Sequence, residues 1–193
     1  MSEERRIVWR PDEEAIRYAN LTAAMEDLGF ESYGTLYRWS IDARGDFWEY
    51  VADRLGIVFS EPAERPLDGT ALHPRWFPGA RMNIVDSCFT GPGDRVAVVY
   101  RSNGVLHRMT YRELRGRVDR FAGGLAHRGI GAGDRVAIAM PMTIESVVAY
   151  LGIVAAGAVV VSIADSFAPD EIARRLEITD PVLIVTRDRF LRA

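Results

Sequence analysis

The side chains able to do chemistry in this 193-residue sequence are few and scattered. Three histidines, His73, His107 and His127, fall on a connector, a hairpin and a helix end, and none has a partner at metal-ligand spacing. Cys88 is the only cysteine, which excludes an intrachain disulfide and a cysteine-held metal cluster and suits a reducing cytoplasm. There is no G-x-S-x-G elbow and no Walker motif. All 24 basic residues are arginine, with no lysine and no glutamine anywhere. That excludes a Schiff-base amine, a Walker lysine and a lysine positioning an adenylate within this sequence. GC-rich codon usage, which favours arginine, accounts for the bias. The carboxylates are interspersed with these arginines, a pattern of surface pairing. By their own spacing the residues predict no catalytic group and no metal site.

The composition around them is that of a soluble globular protein, 48% hydrophobic and 26% charged with a net charge of -3. Near-neutrality argues against a nucleic-acid partner. The charged N-terminus, Met1 to Arg10, lacks the apolar core of a secretory signal. From Ser146 to Ala164 no residue is charged, long enough to span a bilayer, but a helix to Ala156, a stop at Gly157 and the β-branched run Ala158–Ile163 are the better parse. No membrane span is expected.

The elements that must position any site follow a clear order. A helix is expected from Pro11 to Gly29, and a second over Asp46–Leu55 with Phe47, Val51 and Leu55 on one face. Trp9, Trp39, Trp48 and Trp76 all lie in the first 80 residues and read as core or docking surface. Glu61 to Pro78, with four prolines, reads as an extended connector. Val96–Tyr100 and Val105–Met109 form a hairpin around Ser102-Asn103-Gly104. Thr110 and Glu113 make a capping box, opening a helix whose stripe is Leu114, Val118, Phe121, Ala122 and Leu125. Arg112, Arg115 and Arg120 lie off that stripe; a phosphate patch is one reading and a solvated face the favoured one. Gly129, Gly131 and Gly133 then precede the strand Arg135–Met140, the reverse of a dinucleotide fingerprint. Thr143 caps a helix, Pro169 opens another, and strands at Ala158–Ile163 and Val182–Val185 complete βαβ units before a last helix starting at Asp188. The expected fold is α/β: a helical N-terminal region (1–60), an extended connector (61–94), and part of a mostly parallel, doubly wound sheet (95–193), truncated at Ala193.

Several strings resemble the short-chain acyl-CoA synthetases, the acetyl-, propionyl- and acetoacetyl-CoA branch of the adenylate-forming enzymes. Trp76-Phe77-Pro78-Gly79 followed by Met82-Asn83-Ile84-Val85 is similar to their "W-F-P-G-x-x-L-N" segment, and Phe47-Trp48 through Asp53 to their "F-W-x-x-v-a". Thr110-Tyr111-x-Glu113-Leu114 resembles "T-Y-x-E-L". Gly133-Asp134-Arg135-Val136 with Met140-Pro141-Met142 resembles "G-D-R-V-x-I-x-M-P-M". Phe167-x-Pro169, Arg175 and the run Ile184 to Thr186 resemble the next βα unit. The matches run in order from about Trp39 to Ala193.

The resemblance implies a two-step reaction: ATP and a carboxylate give an acyl-adenylate and pyrophosphate, and CoA thiol then takes the acyl group. It implies ATP, Mg2+ and CoA as cofactors of the full-length enzyme, with none held tightly by this stretch alone, and a short-chain carboxylic acid as substrate. The family's phosphate loop and adenylation lysine are absent, so the chain is expected to be an N-terminal fragment, inactive alone and prone to self-association. The family's CoA-facing Phe-Gly-Gly loop corresponds to Ala164, Asp165 and Ser166, and its phosphate-reaching arginine to Arg192. Arg192 keeps the residue type; Asp165 places a negative charge beside a polyanion. A stand-alone CoA- or nucleotide-binding module, or an interaction module, is the alternative.

Overall fold

A computed structural model describes residues 8–188. The chain divides into two units, one made of residues up to Leu55 together with Ala63–Pro78, the other of Gly56–Pro62 together with Gly79 onward.

The first unit holds four helices, α1 (Glu13–Arg17), α2 (Asn20–Leu28), α3 (Tyr33–Asp42) and α4 (Arg44–Arg54), and a hairpin of β1 (Leu67–Gly69) and β2 (Pro74–Trp76). The single helix expected over Pro11–Gly29 is two. Ala19 is extended (φ -70°, ψ 137°), and its N–H and the Thr22 hydroxyl both bond the Ile16 carbonyl, taking the acceptor that a continuing helix would need. Gly29 ends α2 in the left-handed conformation, as expected (φ 71°). The aromatic residues form a relay: Phe30 to Trp39, Trp39 to Phe47, Phe47 to Trp48 and Trp48 to Trp76, with ring centroids 5.3–6.2 Å apart. At the β1–β2 turn Gly69 (φ 82°) is obligatory, because a Cβ there would sit 2.4 Å from the His73 carbonyl oxygen.

The second unit begins its regular structure with the short helix α5 (Ile84–Ser87) and the antiparallel hairpin β3 (Val96–Ser102) and β4 (Val105–Thr110). The hairpin turns at Asn103 and Gly104, both at positive φ, as an Asn-Gly pair favours. Then follow α6 (Tyr111–His127), β5 (Arg135–Ala139), α7 (Ile144–Ala155), β6 (Val159–Ile163), α8 (Pro169–Thr179) and β7 (Leu183–Thr186). The three last strands form an all-parallel sheet in the order β6-β5-β7, the α/β core expected of the sequence. The uncharged run from Ser146 is indeed α7, Gly157 and β6, and no helix among the described residues is long and apolar enough to cross a membrane.

The core of this unit is the stripe of α6 against α7 and the sheet. Leu114, Val118 and Leu125 are buried, with Phe121 packed between two clusters: one with Val136, Ile138, Ala149 and Ile153, the other with Val85, Met109, Ile144 and Val148. Close approach of α6 to α7 depends on Gly152, where a Cβ would lie 2.7 Å from the Phe121 ring. The capping box predicted at Thr110 is formed, and the cap predicted at Thr143 proves to be a box as well, closed by Ser146.

Candidate functional site

In an open parallel sheet, ligands sit outside the carboxyl ends of the strands, at the crevice where successive connections run to opposite sides. Here β5 connects to β6 on one side, and β6 connects across to β7 on the other, so the crevice lies between β5 and β7. The Thr186 hydroxyl donates to the Ala139 carbonyl (2.8 Å), tying the two strand ends together. A cavity of about 570 Å³ opens there, lined by Arg117, Arg120, Met140, Glu145, Thr186 and Arg187 among others. Glu145 lies in the first turn of α7, and hydrogen bonding from Thr143 and from its own backbone N–H, aided by the charges of Arg187 and Arg117, holds its carboxyl below the usual glutamate range. The crevice thus contains one carboxylate and three guanidinium groups, a lining of net positive charge among the described residues.

At the neighbouring strand end, the loop after β6 contains Ala164, Asp165 and Ser166. Ala164 and Ser166 are exposed and Asp165 half-buried, in a turn closed by the Phe167 N–H on the Ala164 carbonyl (3.2 Å). Arg175 from α8 lies over the Phe167 ring at 3.8 Å and donates to the Glu171 carbonyl (3.0 Å). Glu171 in turn accepts from the Ala168 N–H (3.1 Å), and Pro169 opens the helix. This loop therefore presents backbone and negative charge: Asp165, then Asp170 and Glu171. Arg192 lies outside the described residues.

Two other sequence motifs, one at the opposite, amino end of the sheet and one beside it, do structural work. Asp134 accepts from the Gly131 N–H (2.9 Å), and its carbonyl receives the Val159 N–H (2.7 Å), which joins the glycine turn to the start of β6. Arg135 donates to the Asp180 carbonyl and pairs with its carboxylate at 3.7 Å, holding the left-handed end of α8 (φ 43°). Asn83 donates to the Val154 and Ala155 carbonyls (2.7 and 3.3 Å) while its own oxygen accepts from the Val85 N–H (3.1 Å). One side chain thereby caps the end of α7 and the start of α5.

Arg117, Glu145 and Arg187 escape a reading of the sequence because nothing in their spacing links them; the crevice joins them from three elements. Asn83 falls inside a recognisable string, but the two carbonyls it donates to lie more than seventy positions away.

Comparison with known proteins bears on this geometry. A family described as "AMP-binding enzyme" matches residues 85–193, and one described as "Acetyl-coenzyme A synthetase N-terminus" matches residues 33–88. A probable peroxisomal acyl-activating enzyme 18 of Arabidopsis thaliana is 36% identical across 96% of this chain and 28% of its own length. The acetyl-coenzyme A synthetase of Thiobacillus denitrificans is 34% identical, again over 96% of this chain and 28% of its own. The structure of an acetoacetyl-CoA synthetase from Streptomyces lividans superposes on 94% of this chain with a TM-score of 0.85 at 32% identity, using 30% of its own length. The chain spans less than a third of these relatives.

Proposed function

Because this chain belongs to the AMP-binding enzymes, within the acyl-CoA synthetase branch, we propose that it is the N-terminal part of an ATP- and CoA-dependent acid–thiol ligase and is inactive without the remainder. The overlap with the acetoacetyl-CoA synthetase over nearly the whole chain, at 32% identity, carries the reading. The reaction activates a short-chain carboxylate as its adenylate and passes the acyl group to CoA. The proposed setting is the cytoplasm, although two relatives are named as peroxisomal.

ATP, Mg2+ and CoA supply the chemistry of that reaction. Among the described residues no three His, Cys, Asp or Glu side chains come together, so no donor set for magnesium is assigned here and no step is routed through it. Toward CoA, the loop after β6 offers exposed backbone at Ala164 and Ser166, whereas the Asp165 carboxylate opposes a phosphate. The part played by this chain is accordingly to build the sheet edge and hold that loop in place.

The test compares this chain with the longer protein it is proposed to begin, using ATP–pyrophosphate exchange and trapping of the acyl group by hydroxylamine. Exchange dependent on a short carboxylate is expected from the longer protein and none from the 193-residue chain. Adenylate formation by the chain alone would overturn its inactivity, and a longer protein inert toward acetate, acetoacetate and hexanoate would overturn the activity. Calorimetry with CoA probes the loop: millimolar or weaker binding is expected of the chain alone. Micromolar binding that weakens in Arg192→Ala would support the module reading instead.

A further inference from the structure

Four arginines define a second feature, away from the loop after β6. Arg112, Arg117 and Arg120 on α6 and Arg108 on β4 line a groove of about 480 Å³ between helix and hairpin, within the size of small-molecule sites. Arg112, Gly116 and Arg120 recur at i, i+4 and i+8, so they share one side of the helix. Gly116 forms the floor between them, and an Arg120 guanidinium nitrogen lies only 3.6 Å from where a Cβ at Gly116 would be. A larger residue at this position would fill the groove.

The charge of this groove is unbalanced. None of the four arginines takes part in a salt bridge among the described residues. A single carboxylate lines the groove, Glu113, which accepts from the Thr110 N–H and hydroxyl at 2.8 and 2.9 Å and offsets part of the Arg117 charge, so the lining stays net positive. Arg115, on the same helix, shows the contrast. It pairs with Asp119 (2.8 Å) and Asp86 (3.4 Å) and lies over the Phe89 ring, as an arginine on a solvated face does. The solvated-face reading of Arg112, Arg115 and Arg120 thus describes Arg115, while the other two join Arg108 and Arg117 around a common space. Arg117 and Arg120 also line the crevice at the sheet edge, so the positive lining is continuous from the groove to the strand ends.

We propose that the groove between α6 and β4 is a binding site for a small polyphosphate anion, held by Arg108, Arg112, Arg117 and Arg120 over the floor at Gly116. Guanidinium forks suit phosphoryl oxygens, and the positions from Arg112 to Arg120 extend over about 12 Å of helix axis. That spread matches an extended chain of phosphates better than a single one. Concavity and the net charge of -3 favour a small ligand over a nucleic acid. The site is independent of the adenylation reading: either can fail while the other stands.

The experiment is calorimetry on the 193-residue chain at low and moderate salt, with tripolyphosphate as probe and orthophosphate and a DNA duplex as comparisons. Saturable binding of one tripolyphosphate is expected, tighter than orthophosphate and weakened by salt. Arg117→Gln with Arg120→Gln raises Kd by about tenfold or more, because charge-assisted hydrogen bonds are lost. Gly116→Leu blocks the floor with every charge retained, and Arg115→Gln changes Kd little. Circular dichroism confirms that each variant is folded. Absence of saturable binding at millimolar tripolyphosphate overturns the proposal. So does an equal loss in Arg115→Gln, binding unchanged in Gly116→Leu, or tighter binding of the duplex.

Discussion

Asn83 shows how much can rest on one amide. It both donates and accepts, and only an amide can serve the two carbonyls at the end of α7 and the N–H at the start of α5 together. Asn83→Ala is expected to cost about 1–3 kcal/mol in chemical denaturation, since partly buried carbonyls lose their donor. Asn83→Asp should cost at least as much, because a carboxylate cannot donate and meets the negative end of the α7 dipole. Gly152 makes the complementary point. Alanine is the better helix former, yet Gly152→Ala is expected to destabilise by about 1–3 kcal/mol, as the methyl group meets Phe121. A gain in melting temperature would refute the claim that this contact is tight.

At the scale of elements, helix starts are governed by short-range chemistry. Thr110→Ala removes the cap of α6 and is expected to lower stability by about 1 kcal/mol. Hydrogen bonds from the Thr110 backbone and then its hydroxyl hold Glu113 below the usual glutamate range, and Thr143 does the same for Glu145. A carboxyl whose folded pKa is depressed stabilises the fold fully above its unfolded pKa. That contribution is lost as pH falls through the folded value. Acid titration of melting temperature should therefore show a smaller fall in a Glu113→Ala, Glu145→Ala double variant than in the parent. The Thr110 box, the cap at Thr143, the Asn103-Gly104 turn, the alternation of strands and helices and the stop at Gly157 were legible in the sequence, because each is decided within a few residues. The break at Ala19 was not, since it depends on which donors win the Ile16 carbonyl. Nor was α3, a separate helix capped by Ser32. The arginine groove needed β4 and α6 to meet: the sequence placed Arg112 and Arg120 on one helix but not Arg108 beside them.

At the scale of the whole molecule, the parallel sheet among the described residues has β6 and β7 as its outer strands, and next to the second edge Val182 and Ile184 are 59% and 44% exposed. Strand edges and apolar surface of this kind favour association. Light scattering is expected to show a mass that rises with concentration, reduced by Ile184→Lys; a monodisperse monomer at high concentration would count against it. The division into units has a different consequence. Followed from its start, the chain enters the first unit, leaves at Gly56, returns at Ala63 and leaves again after Pro78. Val58 and Ser60 wait for Ser87 and Arg81, hydrogen-bond partners made later on the ribosome. At about 5–20 residues per second the delay is on the order of seconds. The chain crosses between the units three times, so neither can be released whole by one protease cut or one stop codon, and a split version of this protein would need all three crossings cut.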